Sequence, residues 1–140
     1  MNNPEPLKIF LVSSCLTGLC TRYDGRTKPN SNCINRLQNA IWIPICPEQL
    51  GGLPTPREAA EIYGGDGQQV LEGKARILTQ SGIDLTAQFI KGAEEVLKIA
   101  RSQKITAVFL KSKSPSCALR GTMGVTAALL HKHGFTLREF

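Results

Sequence analysis

Three apolar runs in this chain each stop just before a cysteine, and that repeated ending limits what the chain can fold into. The plainest is Ile41-Trp42-Ile43-Pro44-Ile45, followed at once by Cys46-Pro47-Glu48. A run this apolar reads as a strand buried on both faces. Pro47 has no N–H for a ladder, so the strand ends there and leaves Cys46 and Glu48 in a loop at its C-terminal end. Lys8-Ile9-Phe10-Leu11-Val12 runs likewise into Ser13-Ser14-Cys15, and Thr106-Ala107-Val108-Phe109-Leu110 into Ser112-Lys113-Ser114-Pro115-Ser116-Cys117. If the three strands lie parallel, three thiols converge on one edge of one sheet, which is where open α/β sheets bind ligands.

The intervening segments supply helices. Residues 8–13 make the first strand, and a loop follows with Asp24-Gly25 as a turn signal. Asn30-Ser31-Asn32 offers a cap for a helix over 33–38, and the second strand is 41–45. A Gly/Pro-rich loop covers 50–57, and 70–78 reads as a short irregular hairpin. Phe89, Ala93, Val96, Leu97 and Ala100 repeat at helical spacing after a start at Asp84 or Thr86. A third strand is expected at 105–110. The last helix, 125–131, opens at Gly124 or Thr126 and closes at Gly134, before a final strand at 135–138. Alternating strands and helices predict an α/β fold: a single three-layer, Rossmann-like domain over 1–140 with a small parallel sheet.

No apolar run approaches the roughly 20 residues of a membrane span, and Met1-Asn2-Asn3-Pro4-Glu5-Pro6 does not read as a signal peptide, so the expected location is the cytoplasm. There the five cysteines, an odd number, point to metal binding or thiol chemistry rather than disulfides.

A buried free cysteine is commonly a core residue, and Cys33, in a predicted helix, reads that way. Cys20 is a spare ligand or nothing. Cys15, Cys46 and Cys117, all just past strand ends, suggest joint metal ligation. Structural zinc normally takes four Cys/His ligands. His131 and His133 lie at the far end of the last helix, and ten helical residues span about 15 Å. Three thiolates alone suit a [4Fe–4S] cluster better, with one iron left open as a Lewis acid. Glu48, two residues past Cys46, is placed to move protons or to be a solvated loop residue. Ser114 and Ser116 either cap turns or bind substrate oxygens. Arg22 and Arg57 are surface residues or clamps for an anion or planar base.

Taken together, Ser13-Ser14-Cys15-Leu16-Thr17-Gly18, Arg22-Tyr23-Asp24-Gly25, Cys46-Pro47-Glu48, Gly51-Gly52-Leu53-Pro54-Thr55-Pro56-Arg57, Ser114-Pro115-Ser116-Cys117 and the Gly124–Leu130 segment resemble the bacterial thiouracil desulfidase family, in order and over nearly the whole chain. The resemblance implies a [4Fe–4S] cluster on Cys15, Cys46 and Cys117. It also implies non-redox removal of sulfur, as hydrosulfide, from a small thiolated nucleobase, a thiolated pyrimidine such as thiouracil, which becomes uracil. Glu48 and Ser114 are then the expected catalytic residues, and Ser13, Arg22, Asp24, Arg57 and Ser116 the expected substrate-binding ones. The chain departs from the family pattern at Ala118, where glycine is usual, and at the short connection Leu119-Arg120-Gly121-Thr122-Met123. It also departs at Glu58 and Ala59, where proline is frequent.

A rival reading is a basic nucleotide- or RNA-binding α/β domain with structural or zinc-bound cysteines. The net charge of +6 and Arg22, Arg57, Lys111, Lys113 and Arg120 near strand ends feed it. Gly64-Gly65-Asp66-Gly67 matches no phosphate-loop pattern, and aromatics for base stacking are only 6%. Nucleic acid is therefore not the favoured partner.

Overall fold

The central strands are the two most apolar ones. β1 (Ile9–Ser13) is buried from Phe10 onward, and β5 (Ala107–Leu110) is buried throughout. The structure, a computed structural model, describes residues 5–140. β2 (Ile41–Ile45) pairs parallel with β1, β5 pairs parallel with β1 on its other side, and β6 (Leu137–Glu139) pairs parallel with β5. The order is β2-β1-β5-β6. Strand order therefore reverses between β1 and β5, and a crevice opens there at the strands' C-terminal ends.

Helices cover both faces, giving three layers. On one face α1 (Ser31–Arg36) and the turn after it bring Cys33 and Leu37 against Phe10, Val12 and Phe109. Phe10 and Phe109 stack at 4.6 Å between ring centroids. Burial of each such side chain contributes about 1.5–3 kcal/mol. On the other face α4 (Thr86–Ser102) and α5 (Val125–Lys132) bury Val96, Leu97, Ala100, Ala127 and Leu130 against Leu11, Val108 and Leu110. The helix starts follow local chemistry. Asn30 caps α1 by accepting from the Cys33 N–H at 2.9 Å. Asp84 accepts from the Thr86 N–H at 2.9 Å just before α4, although Leu85 holds the cap position itself. Gly124 precedes α5 and Gly134, at φ 81, follows it.

Three expectations need correcting. First, β2 is an edge strand and is not buried on both faces: Ile41 and Trp42 remain 46% and 42% exposed. Pro44 fits because an edge strand needs N–H groups on one side only. Second, Pro47 does not lead into a loop. It starts α2 (Pro47–Leu50), with Cys46 at the cap and Glu48 in the first turn; proline is at home in that first turn. Third, residues 70–78 are not a hairpin. Asp66 and Gln69 form a capping box that starts α3 (Gly67–Leu71). The antiparallel pair is β3 (Ala60–Tyr63) with β4 (Arg76–Thr79).

Glycines set how closely the site's elements pack. A Cβ on Gly92 of α4 would run into the Pro47 carbonyl oxygen, and one on Gly51 into the Gln88 carbonyl. α2 thus meets α4 backbone to backbone. A Cβ on Gly124 would strike the Ser116 carbonyl, so the loop before Cys117 rests directly on the start of α5. Among the described residues no helix is long and apolar enough to cross a membrane.

Candidate metal centre and its cavity

Each thiol is held by the segment that ends its strand. After β1 the chain makes a tight turn over Ser14–Thr17. The Cys15 carbonyl accepts from the Lys28 N–H at 3.0 Å and from Thr27 Oγ1 at 3.1 Å, which fixes the turn. Cys46 caps α2, and its carbonyl accepts from the Leu50 N–H at 3.0 Å. After β5, Ser114 Oγ accepts from the N–H groups of Ser116 and Cys117 at 3.2 and 3.1 Å, turning the loop so that Cys117 points inward. Cys15, Cys46 and Cys117 all line one cavity of about 830 Å³ at the β1/β5 reversal.

The thiols sense burial and one another. Burial pushes Cys117 up to about 12, opposed by a hydrogen bond from Ser13 and reinforced by the charges of Glu48, Cys46 and Cys15. Burial also raises Cys15, with Lys111 opposing and Cys46 adding to the rise. Cys46 is raised by burial too, against the Gln49 N–H and the Arg57 charge. Thiols so placed keep their protons until a cation replaces them. Among the described residues no group of three or more His, Cys, Asp or Glu is gathered tightly enough for a single metal ion. Cys33 lies in the core beside Leu16 and Leu37, and burial raises it to about 11. Cys20 is exposed and is not among the cavity's lining residues.

Glu48 sits at the cavity wall with both oxygens engaged. Arg57 Nε donates to Oε1 at 2.9 Å and Ser116 Oγ donates to Oε2 at 2.8 Å. Arg57 also donates through Nη1 to the Pro54 carbonyl and Thr55 Oγ1, and through Nη2 to the Thr21 carbonyl. Its Nη2 reaches Cys46 Sγ at 3.9 Å. Its side chain is only 6% exposed. Ser13 Oγ accepts from the Lys111 N–H at 3.0 Å.

The other expected residues fall in and out of this cavity. Ser13, Arg22, Glu48, Arg57, Ser114 and Ser116 all line it. Asp24 does not; it lies behind Arg22, at 3.7 Å from the guanidinium. Lys28, Lys111, Lys113 and Arg120 are on the lining with Arg22, so the mouth is basic, while Arg57 is balanced by Glu48. The short segment after Cys117 forms part of the wall. Glu139 of β6 accepts from the N–H groups of Leu119 and Arg120 at 2.6 and 3.0 Å and pins it there. Sequence reasoning passed over two groups. One is the Thr21 carbonyl, which accepts from both Cys46 and Arg57. The other is Tyr23, which lines the cavity under the Arg22 guanidinium. A backbone carbonyl leaves no signal in sequence, but Tyr23 stands beside Arg22 in the 22–25 segment.

Comparison with known proteins agrees over almost the full length. The family model for 2-thiouracil desulfurase matches residues 10–139. The Bacillus subtilis (strain 168) protein YbbK is 42% identical over 139 residues, covering 91% of this chain and 92% of that protein. A solved structure described as the [4Fe-4S]-dependent thiouracil desulfidase TudS superposes with a TM-score of 0.77 at 37% identity, covering 96% of this chain and 91% of that one.

Proposed function

The chain belongs to the 2-thiouracil desulfurase family, and from that premise we propose that it converts a thiolated pyrimidine such as thiouracil to its oxygen counterpart, releasing hydrosulfide. The observation that carries this reading is the placing of three buried or half-buried thiols around one cavity, with Glu48 at its wall.

The donors fit a [4Fe–4S] cluster. They are all sulfur, the softness such clusters select. Among the described residues no group of three or more His, Cys, Asp or Glu forms a site for a single metal ion, and structural zinc normally takes four such ligands. Cys15, Cys46 and Cys117 would hold it, and Cys20 and Cys33 would not. When bound, the cluster supplies an iron without a protein thiolate, a thiophilic Lewis acid suited to a thiocarbonyl sulfur.

The remaining work falls to side chains. Glu48 takes a proton from the attacking water and returns it to the departing sulfur. Ser116 and Arg57 hold its two oxygens, so the carboxylate faces the substrate at a set angle. Ser114 keeps Ser116 and Cys117 in place through their N–H groups. Ser13, Ser116 and Arg22 offer polar contacts to the pyrimidine, with Asp24 steadying Arg22. Water gives its oxygen to the ring carbon, one of its protons leaves on sulfur as hydrosulfide by way of Glu48 and the other passes to solvent as the C=O forms, so no electron is gained or lost. Reduced thiols of this kind suit the cytoplasm.

The test is anaerobic reconstitution. Iron and sulfide near about four each per chain, and hydrosulfide released from a thiouracil without added reductant, are the expected results. A reconstituted protein that needs a reductant for every turnover would overturn the non-redox reading.

A further inference from the structure

We infer that Arg57 is a positioning residue that locks Cys46 and Glu48 into one geometry, and that it makes no direct contact with substrate. The inference rests on the function proposed above. An arginine has five N–H donors in a rigid planar fork. In Arg57 all of them are accounted for: Nε by Glu48, Nη1 by the Pro54 carbonyl and Thr55 Oγ1, and Nη2 by the Thr21 carbonyl and Cys46 Sγ. None is left over for a base or an anion. Its charge is met by Glu48 at 2.9 Å, and its own N–H donates to the Tyr23 carbonyl at 2.6 Å.

These partners come from separate segments. Thr21 belongs to the loop after β1, Pro54 and Thr55 to the loop after α2, and Cys46 and Glu48 to the start of α2. One planar cation joins them. A thiol two residues from a carboxylate on a helix's first turn has no intrinsic reason to hold a constant relation to it, because each side chain turns about its own bonds. The guanidinium reaches both and removes that freedom. A lysine cannot do the same, since an ammonium is a point charge without the fork.

Arg57→Lys and Arg57→Gln, made in the full chain and reconstituted without oxygen, test this. A displacement of about 1 Å costs on the order of 10²-fold in rate, so kcat should fall by roughly that factor while KM for a thiouracil stays within about threefold of the parent. The bound cluster's midpoint potential should fall in both variants, because each loses the guanidinium N–H beside a ligating sulfur, and further in Arg57→Gln, which loses the positive charge as well. A large rise in KM with kcat kept, and an unchanged potential, would make Arg57 a substrate clamp and overturn the inference. Should the parent protein take up no iron, the proposed function fails. The inference is then decided on the cluster-free protein, by the unfolding midpoints of Arg57→Gln, Glu48→Gln and the double variant. The pair should be coupled, the double variant losing little more than Arg57→Gln alone. Losses that simply add would overturn it.

Discussion

Ser116 Oγ donates to Glu48 Oε2 at 2.8 Å, joining residues that lie 68 positions apart in the chain. The bond ties the start of α2 to the loop after β5, so the proposed proton carrier is fastened to the loop that carries Cys117. Replacing Glu48 by Gln keeps the shape and loses the exchangeable proton. Turnover should fall by about 10²–10⁴-fold while iron and sulfide stay at parent levels. Steady-state hydrosulfide release and iron analysis check this. A variant within a few-fold of the parent rate would remove Glu48 from the mechanism.

Single serine substitutions separate the cysteines. Cys15→Ser, Cys46→Ser and Cys117→Ser should each lose the cluster's iron on anaerobic reconstitution, whereas Cys20→Ser should retain it. Cys33 is buried in the α1 face of the core, so Cys33→Ala is the cleaner change, and it too should retain iron. Full iron content in Cys46→Ser would refute the ligand assignment.

Alkylation reads burial without any metal. In cluster-free folded protein near neutral pH, iodoacetamide should label exposed Cys20 first. Cys33 and Cys117, which burial holds at about 11 and about 12, should label last, since only the thiolate is the nucleophile. Peptide mass spectrometry over time gives the order. Cys117 labelled as fast as Cys20 would contradict the described packing.

Gly92→Ala tests the backbone contact between α4 and α2. The added methyl meets the Pro47 carbonyl, and overpacking of this kind costs about 1–3 kcal/mol. The unfolding midpoint should drop by several degrees and iron retention should fall with it, because Cys46 and Glu48 ride on α2. Asn30→Ala serves as a contrast. Losing that cap costs about 1 kcal/mol, yet turnover at 25 °C should be unchanged, because Asn30 caps α1 and is not among the cavity's lining residues.

Much of this was legible in the residues. Apolar runs marked three of the four parallel strands, and the cysteines that follow them lie at one sheet edge because the strands run parallel. The edge position of β2 was not legible. Ile41, Trp42 and Ile43 read the same whether one neighbour or two stands beside them, and strand order is a tertiary fact. α3 was missed although its signal was present: Asp66 with Gln69 three residues on is a capping pair, masked by the glycines around it. The fate of Arg57 was hidden for another reason. A guanidinium is free or spent according to which carbonyls the fold brings to it, and Thr21 and Pro54 lie far apart in sequence.

The placing of the three cysteines also has a consequence for how the protein is made. Cys15 and Cys46 come together as soon as β2 pairs with β1, but Cys117 joins them only when β5 has slotted in on the other side of β1. A chain still emerging from the ribosome holds two of the three sulfurs until β5 and the loop after it have been synthesised. Under the ligand assignment proposed above, loading of iron would follow the placing of β5 and report on that step of folding, and a chain with a defective β5 would not be charged.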